Sequence, residues 1–159
     1  MNLFRAKRVS WTCFIDLKSD IKRVFLLFTP NGEKKWVKDW DFEPVFPYPF
    51  YLEEKCVFKT GTHDYKSEEA IWIINKYQPE QYRIEYIRLE SAAKMGHIQI
   101  TCKSKNRNRT EVGVTYTYTG LTDEGNIFIE NFTKEKYIKY IKDWERALTH
   151  YLQTGTILE

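Results

Sequence analysis

From Gln81 to Thr119 apolar and polar side chains alternate in three successive runs, with only short connections between them. Met95 to Lys103 sets Ile98, Ile100 and Cys102 against His97, Gln99 and Thr101. Thr110 to Thr119 sets Val112, Val114, Tyr116 and Tyr118 against Gly113, Thr115 and Thr117. A two-residue period is that of a strand with one buried face. Strands joined by a few residues are antiparallel neighbours. Gln81 to Glu90 belongs to the series, with Tyr82, Ile84 and Tyr86 on one face and Arg83 and Glu85 on the other, and Ser104 to Asn108 reads as a polar hairpin loop. Such a sheet must cover its apolar face, and the cover lies at the C-terminus. After a loop at Thr122 to Asn131, Thr133 can cap a helix. Tyr137, Ile138, Ile141, Trp144, Leu148, Tyr151 and Leu152 form one apolar stripe along it, and Gly155 is placed to end it.

The first half supplies the remaining elements. Val9, Trp11, Cys13 and Ile15 alternate with Ser10, Thr12 and Phe14 as a strand. Asp16 and Ser19 are available as caps for a helix carrying Ile21, Val24, Phe25 and Phe28 at helical spacing. Pro30 stops it and, with Thr29 as cap, starts a short second helix near Asn31 to Lys38. Trp36 to Tyr51 is rich in rings but punctuated by Pro44, Pro47 and Pro49, which excludes a central strand and suits an extended, edge-like segment. Lys55 to Thr60 and Ala70 to Tyr77 are further strands, and Gln78-Pro79-Glu80 turns the chain. The expected fold class is α+β, a single domain over residues 1–159: one strand, two short helices, about six antiparallel strands, then a long helix packed in the curved sheet.

A chain of 159 residues needs neither disulfide nor metal to bury a core. Five Trp, eleven Tyr and ten Phe make a thick core or line a hollow one. Twenty-five basic against 22 acidic side chains, net +3, lacks the clustered basic face of a nucleic-acid binder. The basic tip Lys103, Lys105, Arg107 and Arg109 is better read as a solvated turn. Cys13, Cys56 and Cys102 are far apart, and neither they nor His63, His97 and His150 show metal-ligand spacing, so no metal and no cofactor is expected. Cys13 and Cys102 share apolar strand faces and read as inert core thiols. A reducing, cytoplasmic setting fits. The basic residues Arg5, Lys7 and Arg8 are followed by no continuous apolar stretch, so a signal peptide is not expected, nor is stable membrane insertion.

Three stretches carry a resemblance to a known family. They are Phe14-Ile15-Asp16 leading to Val24-Phe25, then Trp36-Val37-Lys38-Asp39-Trp40, then Thr115-Tyr116-Thr117-Tyr118-Thr119 through Glu130-Asn131-Phe132 to Asp143-Trp144-Glu145 and Tyr151-Leu152-Gln153-Thr154-Gly155. The chain resembles the START-like, or SRPBCC, superfamily, the helix-grip fold of the birch-pollen allergen and polyketide cyclases. It looks like the uncharacterised bacterial branch of that group. The resemblance implies an internal cavity between sheet and C-terminal helix. It brings no catalytic motif, and the glycine-rich loop often found near the second and third strands of the superfamily is replaced here by proline and aromatic residues.

The leading expectation is therefore binding of a small, largely apolar or amphipathic molecule. The alternatives are a cyclase- or dehydratase-like enzyme using one acid/base group, and an interaction module of the Hsp90-activator type with an exposed patch. The expected cavity residues are Phe58, Trp72, Ile84, Tyr86, Arg88, Ile98, Ile100, Tyr116, Tyr118, Trp144 and Leu148. Trp36, Trp40 and Phe46 are a candidate lid, although core packing is the more ordinary role of such rings. Asp39 and Asp41 read as solvated. Arg88 shares the face of Tyr86, so it either orients an acidic or carbonyl-bearing ligand or pairs at the sheet rim with Glu90 or Glu53. Glu85 falls on the face turned away from the cavity, and His97 on one facing solvent.

Overall fold

The computed structural model describes residues 3–61, 69–90 and 93–159. Strand β1 (Arg8–Leu17) is followed by helices α1 (Ile21–Leu26) and α2 (Pro30–Glu33). Strands β2 (Glu43–Phe46), β3 (Val57–Thr60), β4 (Ala70–Gln78), β5 (Arg83–Glu90), β6 (Lys94–Asn106) and β7 (Arg109–Gly120) come next, then α3 (Asp123–Asn131) and α4 (Lys134–Thr154). The seven strands form one antiparallel sheet in the order β1-β7-β6-β5-β4-β3-β2. Consecutive strands from β2 to β7 are neighbours, and β1 closes the series by pairing with β7 from Arg8 opposite Thr119 to Leu17 opposite Thr110.

Alternation decides which face is covered. Cys13, Ile15 and Leu17 from β1, Ile98, Ile100 and Cys102 from β6, and Val112, Val114, Tyr116 and Tyr118 from β7 are all buried on the inner face. On the outer face of the same strands, hydroxyls pair across the sheet, Ser10 with Thr117 at 2.8 Å and Thr12 with Thr115 at 2.7 Å. Helix α4 lays Tyr137, Ile141 and Leu148 onto the inner face, where the Tyr137 hydroxyl donates to the Val114 carbonyl. Thr133 caps its start by accepting from the Lys136 amide, and Gly155 ends it in the left-handed region at φ 72°.

The helices α1 and α2 form the bend that carries the chain under α4. Asp20, not Asp16 or Ser19, caps α1. Asp16 is committed to Arg109, and the Ser19 carbonyl accepts from the buried Thr110 hydroxyl at 2.8 Å. Thr29 caps α2 as its sequence position suggests. That helix is one turn long instead of reaching Lys38.

Three other boundaries differ from the sequence reading. Residues 123–131, expected as loop, are helix α3, capped by Thr122. Only Gly125 and Ile129 are buried along it while Ile127 and Phe128 are exposed, so its stripe is too thin to read. A Cβ at residue 125 would lie 1.8 Å from the Ala93 carbonyl oxygen, so glycine alone lets α3 approach the sheet this closely. Second, β6 extends through Lys103, Ser104 and Asn106, which pair with Glu111, Thr110 and Arg109. The side chains at this end of the hairpin are polar, and Lys105, Asn106, Arg109 and Glu111 border an open depression together with Lys142 and Glu145 of α4. Third, Tyr82 sits outside β5 at φ 55°, ending the turn at Pro79–Gln81, and packs edge-on against Phe25 at 5.9 Å.

Candidate functional site

The interior between sheet and α4 is largely filled by rings. Trp36 meets Trp144 edge-on at 5.6 Å, Trp144 meets Tyr116 at 6.0 Å, and Trp40 meets Trp72 at 5.7 Å. What remains is a cavity of about 80 Å³, far smaller than expected from the sequence. Its sheet wall is Trp72, Tyr86, Arg88, Ile98, Ile100 and Tyr116. Trp144 and Tyr140 of α4 close one side, and Glu33, Trp36, Val37 and Trp40 close the other. A broader depression of about 730 Å³ between β1, α3 and α4 is open to solvent and bordered by Lys7, Arg8, Glu130, Lys134 and Glu135, without an enclosed interior.

Arg88 is the polar centre of the sheet wall. Its Nη2 donates to the Tyr118 hydroxyl at 2.7 Å and lies 3.2 Å from Glu90, whose other oxygen is 3.3 Å from Lys94. The guanidinium stands over the Trp72 ring, 5.0 Å from its centroid. Gly96, opposite both Arg88 and Tyr118 in the sheet, leaves room for them, since a Cβ there would come within 3.1 Å of the Tyr118 ring. Arg88 thus occupies both positions the sequence allowed, pairing with Glu90 and lining the cavity. Its Nε–H is buried and finds no acceptor among the described residues.

Glu33, the last residue of α2, faces the same space from the opposite wall. It is partly buried. Burial among rings pushes its carboxyl up to about 8, against the opposing pull of the Arg88 charge. Burial likewise raises the Tyr86 and Tyr116 phenols well above their ordinary range. The Tyr86 hydroxyl is already spent, donating to the Phe28 carbonyl at 2.6 Å.

Of the residues expected at the cavity, Trp72, Tyr86, Arg88, Ile98, Ile100, Tyr116 and Trp144 line it. Phe58, Ile84 and Leu148 are fully buried behind it as core. Tyr118 stands behind Arg88. From the candidate lid, Trp36 and Trp40 line the cavity but are anchored, donating their indole N–H groups to the carbonyls of Leu27 at 2.7 Å and Pro30 at 2.9 Å. Phe46 is 61% exposed on edge strand β2 and does not reach the cavity, because β2 pairs beyond β3 at the sheet margin. Glu33, Val37 and Tyr140 were missed. Tyr140 lies one residue before Ile141 in the stripe, and Glu33 precedes Trp36 by one helical turn, a signal that is visible only once α2 is placed.

Away from the cavity, Asp39 and Asp41 are exposed. Glu85 does turn to the outer face, yet it is buried there, 2.8 Å from both Arg83 and His97. His97 is correspondingly half-buried rather than free in solvent. His63 lies outside the described residues. Among the described residues no group of His, Cys, Asp and Glu side chains could hold a metal ion, and no helix is long and apolar enough to cross a membrane.

A curved antiparallel sheet closed around one long C-terminal helix defines a helix-grip protein. No family model and no curated protein matches the chain. Solved structures do. An uncharacterized protein from Rhizobium leguminosarum superposes with a TM-score of 0.66 at 13% identity, covering 94% of this chain and 97% of the other. Ara h 8.0201 gives 0.67 at 12% identity, over 93% and 99%. Norcoclaurine synthase from Thalictrum flavum, solved in complex with dopamine and hydroxybenzaldehyde, gives 0.63 at 8% identity, over 93% and 88%. The chain has the helix-grip α+β fold that these structures share. At these identities the likeness is one of fold.

Proposed function

We propose that this protein binds a small, largely apolar molecule carrying one carbonyl or carboxylate group in the cavity between sheet and α4. The observation that carries the reading is Arg88, a charged side chain set in a wall of rings with one buried N–H left over. A buried donor without an acceptor is costly, and a ligand oxygen would remove that cost. Apolar walls with few polar groups are the usual make-up of a small-molecule site. The present volume holds only two or three waters at about 30 Å³ each. A larger ligand therefore enters by displacing a ring. Tyr140, 42% exposed at the mouth, moves at least cost, whereas Trp36 and Trp40 would have to give up hydrogen bonds.

A second reading, an enzyme of the cyclase or dehydratase kind, is favoured by one feature, a carboxyl at the cavity that titrates near neutrality. Both readings require the cavity to be occupied. Native mass spectrometry of protein isolated from its own cells, followed by extraction, is expected to show a bound small molecule. The Val37→Phe variant, which plugs the mouth, is expected to lose it while unfolding at a similar temperature. An adduct that survives in Val37→Phe, or protein that is consistently empty, counts against the reading.

A further inference from the structure

The outer face of the sheet is of two kinds. On β1 and β7 it carries the hydroxyls of Ser10, Thr12, Thr115 and Thr117, as a solvated face should. On β2 to β5 the same face turns apolar. Phe46, Val57, Ile73 and Ile87 stand side by side in one cross-strand row, and Ile71 and Leu89 in the next. Their neighbours along the strands, Phe58, Trp72 and Tyr86, are buried on the inner face, so these six side chains point away from it. Phe46 and Ile71 are exposed. Among the described residues, the helices make their sheet contacts chiefly with β1, β6 and β7, not with the strands that carry this patch.

Charge is arranged around the patch with a direction. Glu69 stands just before β4 and Lys76 near its far end, with Ile71 and Ile73 between them on one face. A bulge between Ile74 and Lys76 keeps Lys76 on the outer side, opposite Glu85. At the first end, Glu69 and Glu43 flank Lys59, which lies 3.5 Å from Glu69 and pairs opposite Glu43. At the other end, Lys76 and Arg83 share one oxygen of the buried Glu85 carboxylate, at 3.7 and 2.8 Å, while His97 lies 2.8 Å from its other oxygen. Among the described residues, one rim of the patch therefore has a negative charge in excess and the opposite rim a positive one.

We propose that two copies of this chain pack outer face to outer face over this patch, β4 antiparallel to β4, about a two-fold axis that crosses the strands near Ile73. Such an axis lays the Lys76 rim of each copy on the Glu69 rim of the other, so the patch is complementary to itself. An axis along the strands would set like rim on like rim. Four strands about 4.8 Å apart and four rows about 6.8 Å apart make a face of roughly 500 Å² per copy. Two such faces total roughly 1,000 Å², the lower end for a specific interface, so the dimer is weak and reversible. A face this broad and flat suits a second sheet better than a helix or peptide, which seeks a groove or a free edge.

Sedimentation velocity of the whole chain, from about 5 µM to about 1 mM, tests the proposal over the range a weak dimer occupies. Wild-type protein is expected to pass from monomer to dimer within it. Ile73→Lys brings two ammonium groups together at the axis and should weaken association at least about tenfold, with the urea midpoint near that of wild type. Phe46→Ser, at an exposed site on an edge strand, should weaken it as well, and it keeps the test decisive if Ile73→Lys fails to fold. Glu69→Lys and Lys76→Glu should each weaken the dimer, and the two together should restore it, because the reversed rims match again. A chain that stays monomeric to the highest concentration overturns the proposal and leaves the patch to a partner of another kind. A dimer indifferent to Ile73→Lys and Phe46→Ser overturns it too, since the contact then lies elsewhere. So does a double reversal that restores nothing, because the rims then do not meet as the two-fold axis requires.

Discussion

The Tyr86 hydroxyl donates to the Phe28 carbonyl across 2.6 Å of protein interior, joining the middle of β5 to the end of the turn between α1 and α2. This bond sets the height of the α1–α2 bend above the sheet, and with it the wall formed by Glu33 and Trp36. Tyr86→Phe leaves a buried carbonyl unmet and is expected to cost about 1–2 kcal/mol. Urea unfolding measures it. A loss below a few tenths of a kcal/mol would mean that water takes over the carbonyl and that the bend is held elsewhere.

Leu148 and Ile127 separate core from surface on the two last helices. Leu148 is fully buried where α4 meets the sheet, whereas Ile127 is 59% exposed on α3. Leu148→Ala should cost about 2–5 kcal/mol, the range for truncating a packed leucine. Ile127→Ala should change stability by less than about 0.5 kcal/mol. Equal effects in thermal or chemical unfolding would show that α3 buries its apolar face in solution.

How much of this was readable beforehand depends on period and on partnership. β7 and α4 declare themselves because each keeps one period over many residues, with Val112, Val114, Tyr116 and Tyr118 facing Tyr137, Ile141 and Leu148. The same alternation placed Tyr86, Arg88, Ile98, Ile100 and Tyr116 on one wall. The sequence could not tell whether rings from opposite walls meet, since Trp36 and Trp144 lie far apart in the chain and their 5.6 Å contact depends on the α1–α2 bend. For the same reason nothing in the sequence distinguishes Glu33 from the other charges of the chain. Its significance comes from Arg88, which sits across the cavity on a different element. Glu85 shows the converse limit: alternation gave its face correctly, but burial under Arg83 and His97 depends on cross-strand neighbours.

The three thiols make a clean reporter of the closed fold. Cys13, Cys56 and Cys102 are all buried and unpaired, and burial pushes the Cys102 thiol up to about 12. A thiol attacks as thiolate, so burial disfavours reaction of all three, and for Cys102 the raised pKa disfavours it further. A colorimetric disulfide reagent at pH 8 is expected to find no fast thiol in the folded protein and three once guanidinium is added. One thiol reacting rapidly without denaturant would show that its strand opens locally.

Glu33 makes stability itself depend on pH in a defined sense. Its folded carboxyl titrates at about 8, above the ordinary carboxylate value of 4.5. Below pH 4.5 it is protonated both folded and unfolded and contributes nothing to the pH dependence. Between pH 4.5 and 8 the unfolded chain has released this proton while the folded chain still holds it, so rising pH favours unfolding. Above pH 8 both forms are ionised and the penalty levels off. Glu33→Gln has no proton to release. Its stability relative to wild type, measured by urea unfolding without ligand, should climb steadily from pH 5 to pH 8 and then flatten. A difference that stays constant across this range would place the Glu33 carboxyl in water, because only a carboxyl held away from solvent keeps its proton to such a pH.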